Sequence, residues 1–167
     1  MRTLLVIRHA KSAWPGGVSD HDRPLAARGR ADAPSLGRWL ADRDLCPDYA
    51  AVSSALRTQQ TWTLVDRELD CEVSVDTEER IYAAPASALL DVVRGFPRDT
   101  SVGALVGHNP GCEDLAGMLA GQGDSEAAAD MARKFPTSGV AVIEFAQEWA
   151  DVAPGIGWLT AFVVPRG

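Results

Sequence analysis

The chain has 167 residues, 46% of them hydrophobic, and a formal net charge of −7. That length and apolar content suffice for one well-buried core and predict a single domain over 1–167. The acidic balance excludes a general nucleic-acid binder, which needs a basic face, so any cationic site must be local.

No apolar run approaches transmembrane length, and the five residues between Arg2 and Arg8 are too few for a signal-peptide core, so a cytoplasmic protein with no membrane partner is expected. Cys46, Cys71 and Cys112 are odd in number, scattered and without metal-ligand spacing. They are expected as reduced thiols, with no metal and no cofactor.

In chain order, Thr3 to Ile7 reads as a short strand buried on both faces, and it breaks abruptly into Arg8, His9, Ala10, Lys11 and Ser12. In open α/β sheets ligands bind beside the carboxyl ends of strands, so Arg8 and His9 stand where a phosphate could meet both. A Gly/Pro-punctuated loop from Trp14 to Pro24 follows, long enough to suggest a functional role. Ala26 to Asp42 places Ala33, Leu36, Gly37 and Leu40 at helical spacing.

Asp48 to Ser54 is a second strand ending in serines, and it leads into a helix that carries Arg57 in its first turn. A cation there opposes the helix dipole and suggests that Arg57 faces an anion. Glu72 to Asp76 reads as a third strand, Thr77 to Tyr82 as a polar connection, and Ala86 to Gly95 as a helix stopped by glycine. Ser101 to Val106 is a fourth strand, ending in Gly107, His108, Asn109 and Pro110 and so repeating the opening design. A helix over Cys112 to Leu119 precedes a Gly/Ala/acidic stretch, Gln122 to Asp130, expected as a mobile helix or loop. Strands over Val140 to Phe145 and Trp158 to Val164 close the chain and could pair as an antiparallel hairpin. Strands alternating with helices predict an α/β fold, a three-layer α/β/α sandwich around a mostly parallel central sheet.

Taken together, Arg8-His9, the segment Ser53 to Thr61 around Arg57, and Gly107-His108-Asn109-Pro110 closely resemble the histidine phosphatase superfamily, the phosphoglycerate-mutase-like proteins. Asp22-Arg23-Pro24-Leu25 followed by Arg28-Gly29, and Lys134-Phe135-Pro136-Thr137, look most like its short bacterial SixA-like branch of protein-phosphohistidine phosphatases. One departure is Ala10, where the family usually has glycine; its methyl group is harmless only if the backbone there is not left-handed.

The resemblance implies that His9 is a nucleophile that becomes transiently phosphorylated, with Arg8, Arg57 and His108 around the transferred oxygens and Ser12 and Asn109 as further phosphate ligands. A neutral imidazole splits one hard displacement into two easier ones, and planar arginines each hold two oxygens. The general acid for an alkyl leaving group is expected at Glu79, with Glu78 and Asp22 as weaker candidates; imidazole leaves readily without one. His21, and the charges of Asp20, Asp22, Glu78 and Glu79 taken together, otherwise read as solvated loop residues. The expected substrate is a phosphohistidine-bearing protein. The alternatives are a small phosphorylated metabolite or nucleotide, or a non-catalytic phosphoprotein-binding module; the oligomeric state is left open.

Overall fold

In a computed structural model describing residues 1–167, the first strand β1 is Arg2–Arg8. Its alternation is visible in the packing: Leu4 and Val6 enter one core, and Leu5 and Ile7 enter another on the opposite face of the sheet. The remaining strands are β2 (Tyr49–Ser53), β3 (Ser74–Glu78), β4 (Val102–Gly107), β5 (Ala120–Gly123), β6 (Val140–Phe145) and β7 (Gly157–Val163). They form one sheet in the order β3-β2-β4-β1-β6-β7-β5, with β6 antiparallel to both of its neighbours and the other pairings parallel.

Helices α1 (Ala27–Ala41) and α2 (Leu56–Asp66) cover one face through Leu36, Leu40, Trp62 and Val65. The other face is covered by α3 (Ala86–Arg94), α4 (Gly111–Leu119) and α5 (Ser125–Arg133), through Leu89, Leu115 and Met131. The result is a three-layer α/β/α sandwich around a mostly parallel sheet. No helix is long and apolar enough to cross a membrane.

The order around β1 fixes where chemistry can occur. From β1 the chain crosses over through α1 on one face, whereas β4, its parallel neighbour, leaves through α4 on the other. Between them a crevice opens at the strands' carboxyl ends, the place where ligands bind in such sheets. Because Arg8 is in register with Gly107, His9 and His108 emerge side by side.

Three features differ from the sequence expectation. The third strand begins and ends two residues later, so Glu78 closes β3 and Glu79 opens a 3₁₀ turn, Glu79–Ile81. The stretch expected as a mobile helix or loop holds the last two residues of the strand β5 and most of α5, whose first turn is capped by Asp124 accepting from the Ala127 amide at 2.8 Å. A Gly/Ala-rich strand carries little β-propensity and depends on its neighbour β7.

The third correction concerns the cysteines, since Cys46 and Cys71 form a disulfide and only Cys112 is free and buried. Tyr49 and Ser74 are partners in the β2–β3 register, and each cysteine lies three positions before its strand's first residue. Parallel pairing thus brings together two loops that are distant in sequence.

Gly29 sits in the first turn of α1, where a Cβ would stand 2.1 Å from the Lys11 carbonyl oxygen. That carbonyl also accepts from the Ala26 amide at 2.9 Å, so the helix start is sewn to the segment just beyond His9. Alanine is the better helix former by about 1 kcal/mol, but here the collision dominates. We expect Gly29→Ala to destabilise the fold by about 1–3 kcal/mol in urea unfolding and to lower turnover by displacing Lys11 and Ser12. A more stable variant would show that the close approach is not limiting.

Candidate active site

The backbone of His9 is pinned on both sides. Its amide donates to Gly107 O at 3.0 Å, its carbonyl accepts from the Ser138 amide at 3.0 Å, and the Arg8 amide donates to Gly139 O at 3.0 Å. Ala10 is fully buried, has no positive φ, and donates its amide to Thr61 Oγ1 at 3.0 Å. The methyl group therefore fits an ordinary backbone conformation.

The imidazole of His9 lies with Nδ1 2.7 Å from its neighbour's carbonyl, Ala10 O. A carbonyl can only accept, so Nδ1 carries the proton and Nε2 keeps a free lone pair. Burial is the main cause that pushes the His9 pKa down to about 3, against the opposing backbone bond, with His108 and the two arginines adding to the fall. The ring is therefore neutral across the physiological range.

His9 shares a cavity of about 230 Å³ with Arg8, Ser12, Arg57, His108 and Asn109, and Lys11, Trp14, Arg23 and Thr137 complete its wall. The structure thus brings together every residue expected for the phosphate pocket. The rings of His9 and His108 stand 5.4 Å apart. His108 pairs through Nε2 with Ser53 Oγ at 2.8 Å, and burial lowers its pKa to about 4. Arg8 donates to Phe135 O at 3.1 Å, and Asn109 Nδ2 donates to the same carbonyl at 2.9 Å. Arg8 Nε, Arg57 Nε and His108 Nδ1 are buried without a protein partner. Leaving such groups unpaired costs about 1–3 kcal/mol each, and their concentration in one cavity marks a functional site.

The wall contains no carboxylate, but Arg57 reaches one just outside. Its Nη1 donates to Asp20 O at 2.7 Å and its Nη2 to Asp20 Oδ2 at 3.2 Å. Arg23 donates to Asp20 Oδ1 at 2.8 Å and to Ser12 Oγ, and its guanidinium stacks 3.3 Å over the exposed ring of Trp14. Tyr82 donates its hydroxyl to Asp20 Oδ2 at 2.5 Å. Those bonds, that of Tyr82 first and Arg23 next, hold the Asp20 carboxyl far below the usual carboxylate range. Asp20, Arg57 and His108 also line a second cavity of about 500 Å³, bounded by Tyr82 to Pro85 and Asn109 to Gly111.

The acid candidates are not brought to either cavity. Glu79 is exposed on its 3₁₀ turn with no side-chain hydrogen bond, Glu78 is clamped by Arg80 at 2.9 Å, and Asp22 is held by Ser19. Tyr82, directly after the 3₁₀ turn, lines the pocket edge where a glutamate was expected. His21 is tied in too, with Nε2 2.9 Å from Ser54 Oγ and its ring edge-on to Tyr82. Asp20, Arg23, Tyr82 and Ser53 are site residues that the sequence reading does not single out, because each arrives from a loop or strand end without periodicity; the signals are the length of the 14–24 loop and, for Arg23 and Ser53, their place inside the family-like motifs. No group of three or more His, Cys, Asp or Glu side chains is arranged to hold a metal ion.

The family model described as histidine phosphatase superfamily (branch 1) matches residues 4–81. An uncharacterised protein of Mycobacterium tuberculosis is 39% identical over 162 residues, which cover 96% of this chain and 100% of that protein. The SixA protein of Nakamurella multipartitia superposes with a TM-score of 0.87 at 29% identity, over 98% of this chain and 96% of that one. The protein histidine phosphatase SixA solved with tungstate superposes with a TM-score of 0.79 at 19% identity, over 98% and 97% of the two chains.

Proposed function

Because this chain belongs to the histidine phosphatase superfamily, among its SixA-like members, and is a phosphatase, we propose that it removes the phosphoryl group from phosphohistidine displayed on a protein. The observation that carries the reading is a neutral, tautomer-fixed His9 facing a cationic cavity with no protonated carboxylic acid beside it.

In the first step Nε2 of His9 bonds to phosphorus as the substrate's P–N bond breaks, and that bond's electron pair stays on the departing ring nitrogen. When the substrate ring carries a proton on its other nitrogen, it departs as neutral imidazole and needs no acid. His9 keeps its Nδ1 proton on Ala10 O and becomes the phosphorylated imidazolium. Arg8, Arg57 and His108 hold the three oxygens as the charge spreads. In the second step water attacks phosphorus, the pair of the His9–phosphorus bond returns to Nε2, and dihydrogen phosphate leaves with both protons of the water. An alkyl phosphate, by contrast, must leave as an alkoxide unless a proton is supplied.

A positioned general acid is worth about 10²–10⁴-fold, so a pocket without one should favour phosphohistidine over alkyl esters by a factor of that order. The test is a panel of phosphohistidine protein, phosphoserine peptide, phosphoglycerate and a nucleotide, read as kcat/KM. A metabolite turned over near the diffusional ceiling of about 10⁸ M⁻¹s⁻¹ would establish the small-molecule alternative instead. The name of the Nakamurella SixA protein, which proposes phosphohistidine phosphatase activity, supports the same substrate class.

A further inference from the structure

The larger cavity adjoins the phosphate pocket, with which it shares Arg57, His108 and Asn109, and His9 is not part of its lining, so it offers space for a leaving group outside the reach of the nucleophile. Its volume of about 500 Å³ has room for a histidine side chain and the backbone around it. Its frame is aromatic, since Tyr82 meets His108 edge-on at 5.5 Å and His21 edge-on at 4.8 Å. It also contains a backbone outlier, Ala83 at φ 54°, a strained conformation of the kind kept at functional sites.

The cavity's one carboxylate is Asp20. A carboxylate offers about four acceptor positions, and Arg23, Arg57 and Tyr82 occupy three of those on Asp20. Its side chain is 51% exposed, so the remaining position is open to a ligand.

Building on the phosphohistidine reading, we propose that Asp20 is the specificity-determining residue of a leaving-group subsite, where its carboxylate binds the protonated second ring nitrogen of the substrate imidazole. The substrate ring is thereby held in the form whose P–N bond breaks to give neutral imidazole, with the electron pair on the departing nitrogen and the proton already on the other. The same fixed negative charge disfavours substrates with a carboxylate or further phosphates near the phosphoryl group. Asp20 is no proton donor, because Tyr82 and Arg23 keep it ionised. A solvated loop charge would not collect, beside Arg23 of its own loop, donors from two distant elements, namely α2 and the turn after β3.

The charged and titratable groups around Asp20 are Arg23, Arg57, Tyr82 and His108, with His21 next in sequence and Asp22 one residue further. Across pH 6 to 9 the substrate ring changes charge, whereas burial holds His108 neutral and the bond to Asp20 pushes the Tyr82 hydroxyl up. Losing the Asp20 charge should therefore move the alkaline limb of phosphohistidine turnover to lower pH.

The experiment measures kcat/KM against pH for a phosphohistidine peptide and for p-nitrophenyl phosphate, whose leaving group needs no such proton. The variants are Asp20→Asn, which keeps the shape, and Asp20→Glu, which keeps the charge. In Asp20→Asn the alkaline limb for the peptide should move down by about one pH unit, and at pH 8 the peptide should lose about tenfold more than p-nitrophenyl phosphate. Asp20→Glu should restore most of the limb. Equal losses on both substrates with an unmoved limb, or an Asp20→Glu that behaves like Asp20→Asn, would overturn the subsite and leave Asp20 as a brace for Arg57. Absence of any peptide turnover by the unaltered protein would overturn the phosphohistidine reading, and the subsite with it.

Discussion

Replacing His9 with alanine is expected to lower kcat by about 10⁴-fold or more and to remove the covalent intermediate altogether. Labelled substrate quenched in the steady state should leave an acid-labile, alkali-stable phosphoryl adduct on the unaltered protein and none on His9→Ala. The magnitude follows from geometry, since the Nδ1 proton is fixed on Ala10 O and the cavity walls offer no second nucleophile held in the same way.

The pH dependence has a definite sign. The lowered pKa of about 3 means that His9 stays unprotonated well below 6.5, so kcat should show no acid limb near the ordinary histidine value. In the unfolded chain the same ring binds a proton below about 6.5. Stability should therefore fall as pH drops from that value toward 3, and His9→Ala should fall less steeply. Full activity in His9→Ala would remove the residue from the mechanism.

The second large effect is expected at the arginines. Arg57→Ala and Arg8→Ala should each lower kcat by about 10²–10⁴-fold, because each removes charge-assisted bonds of about 1.5–3 kcal/mol that strengthen as the equatorial oxygens gain charge. Vanadate takes the five-coordinate shape of the transferred group, and its inhibition constant should rise in parallel with the fall in kcat. Arg57 should be the more sensitive of the two. It is nearly fully buried and also anchors Asp20, whereas Arg8 is half-buried with a single carbonyl partner. A change confined to KM would mean that the arginines bind ground and transition states alike and are not catalytic.

The parts of this architecture that were legible in the sequence are those with a period or a punctuation mark. β1, β2, β4 and β6 are continuous apolar runs, and the residues that fill the phosphate cavity stand immediately after three of those strands or in the helix that follows. What escaped depends on partners far along the chain. β5 is a run of alanine, glycine and glutamine that becomes a strand only beside β7, and the Cys46–Cys71 pair exists only through the β2–β3 register. Glu79, expected at the pocket, lies outside both cavities, because the exposed strand β3 carries little apolar pattern to fix where it ends and which side chain follows it. Asp20 could not be told from its acidic neighbours without the three donors that surround it.

The strand β3 lies at one margin of the sheet, with β2 as its sole neighbour and four of its five residues exposed. Its free margin bears Asp76 and Glu78, which discourages another chain from pairing there. Such a strand is also where native-state breathing would begin, because little apolar contact opposes its detachment. The disulfide tethers the loop leading into β3, at the end remote from the catalytic crevice, while Tyr82 and Asp20 fasten the segment that leaves it. With both ends of the margin held, transient peeling should be confined to the middle of the strand, and amide exchange should be faster there than at Tyr82, which Asp20 holds in place.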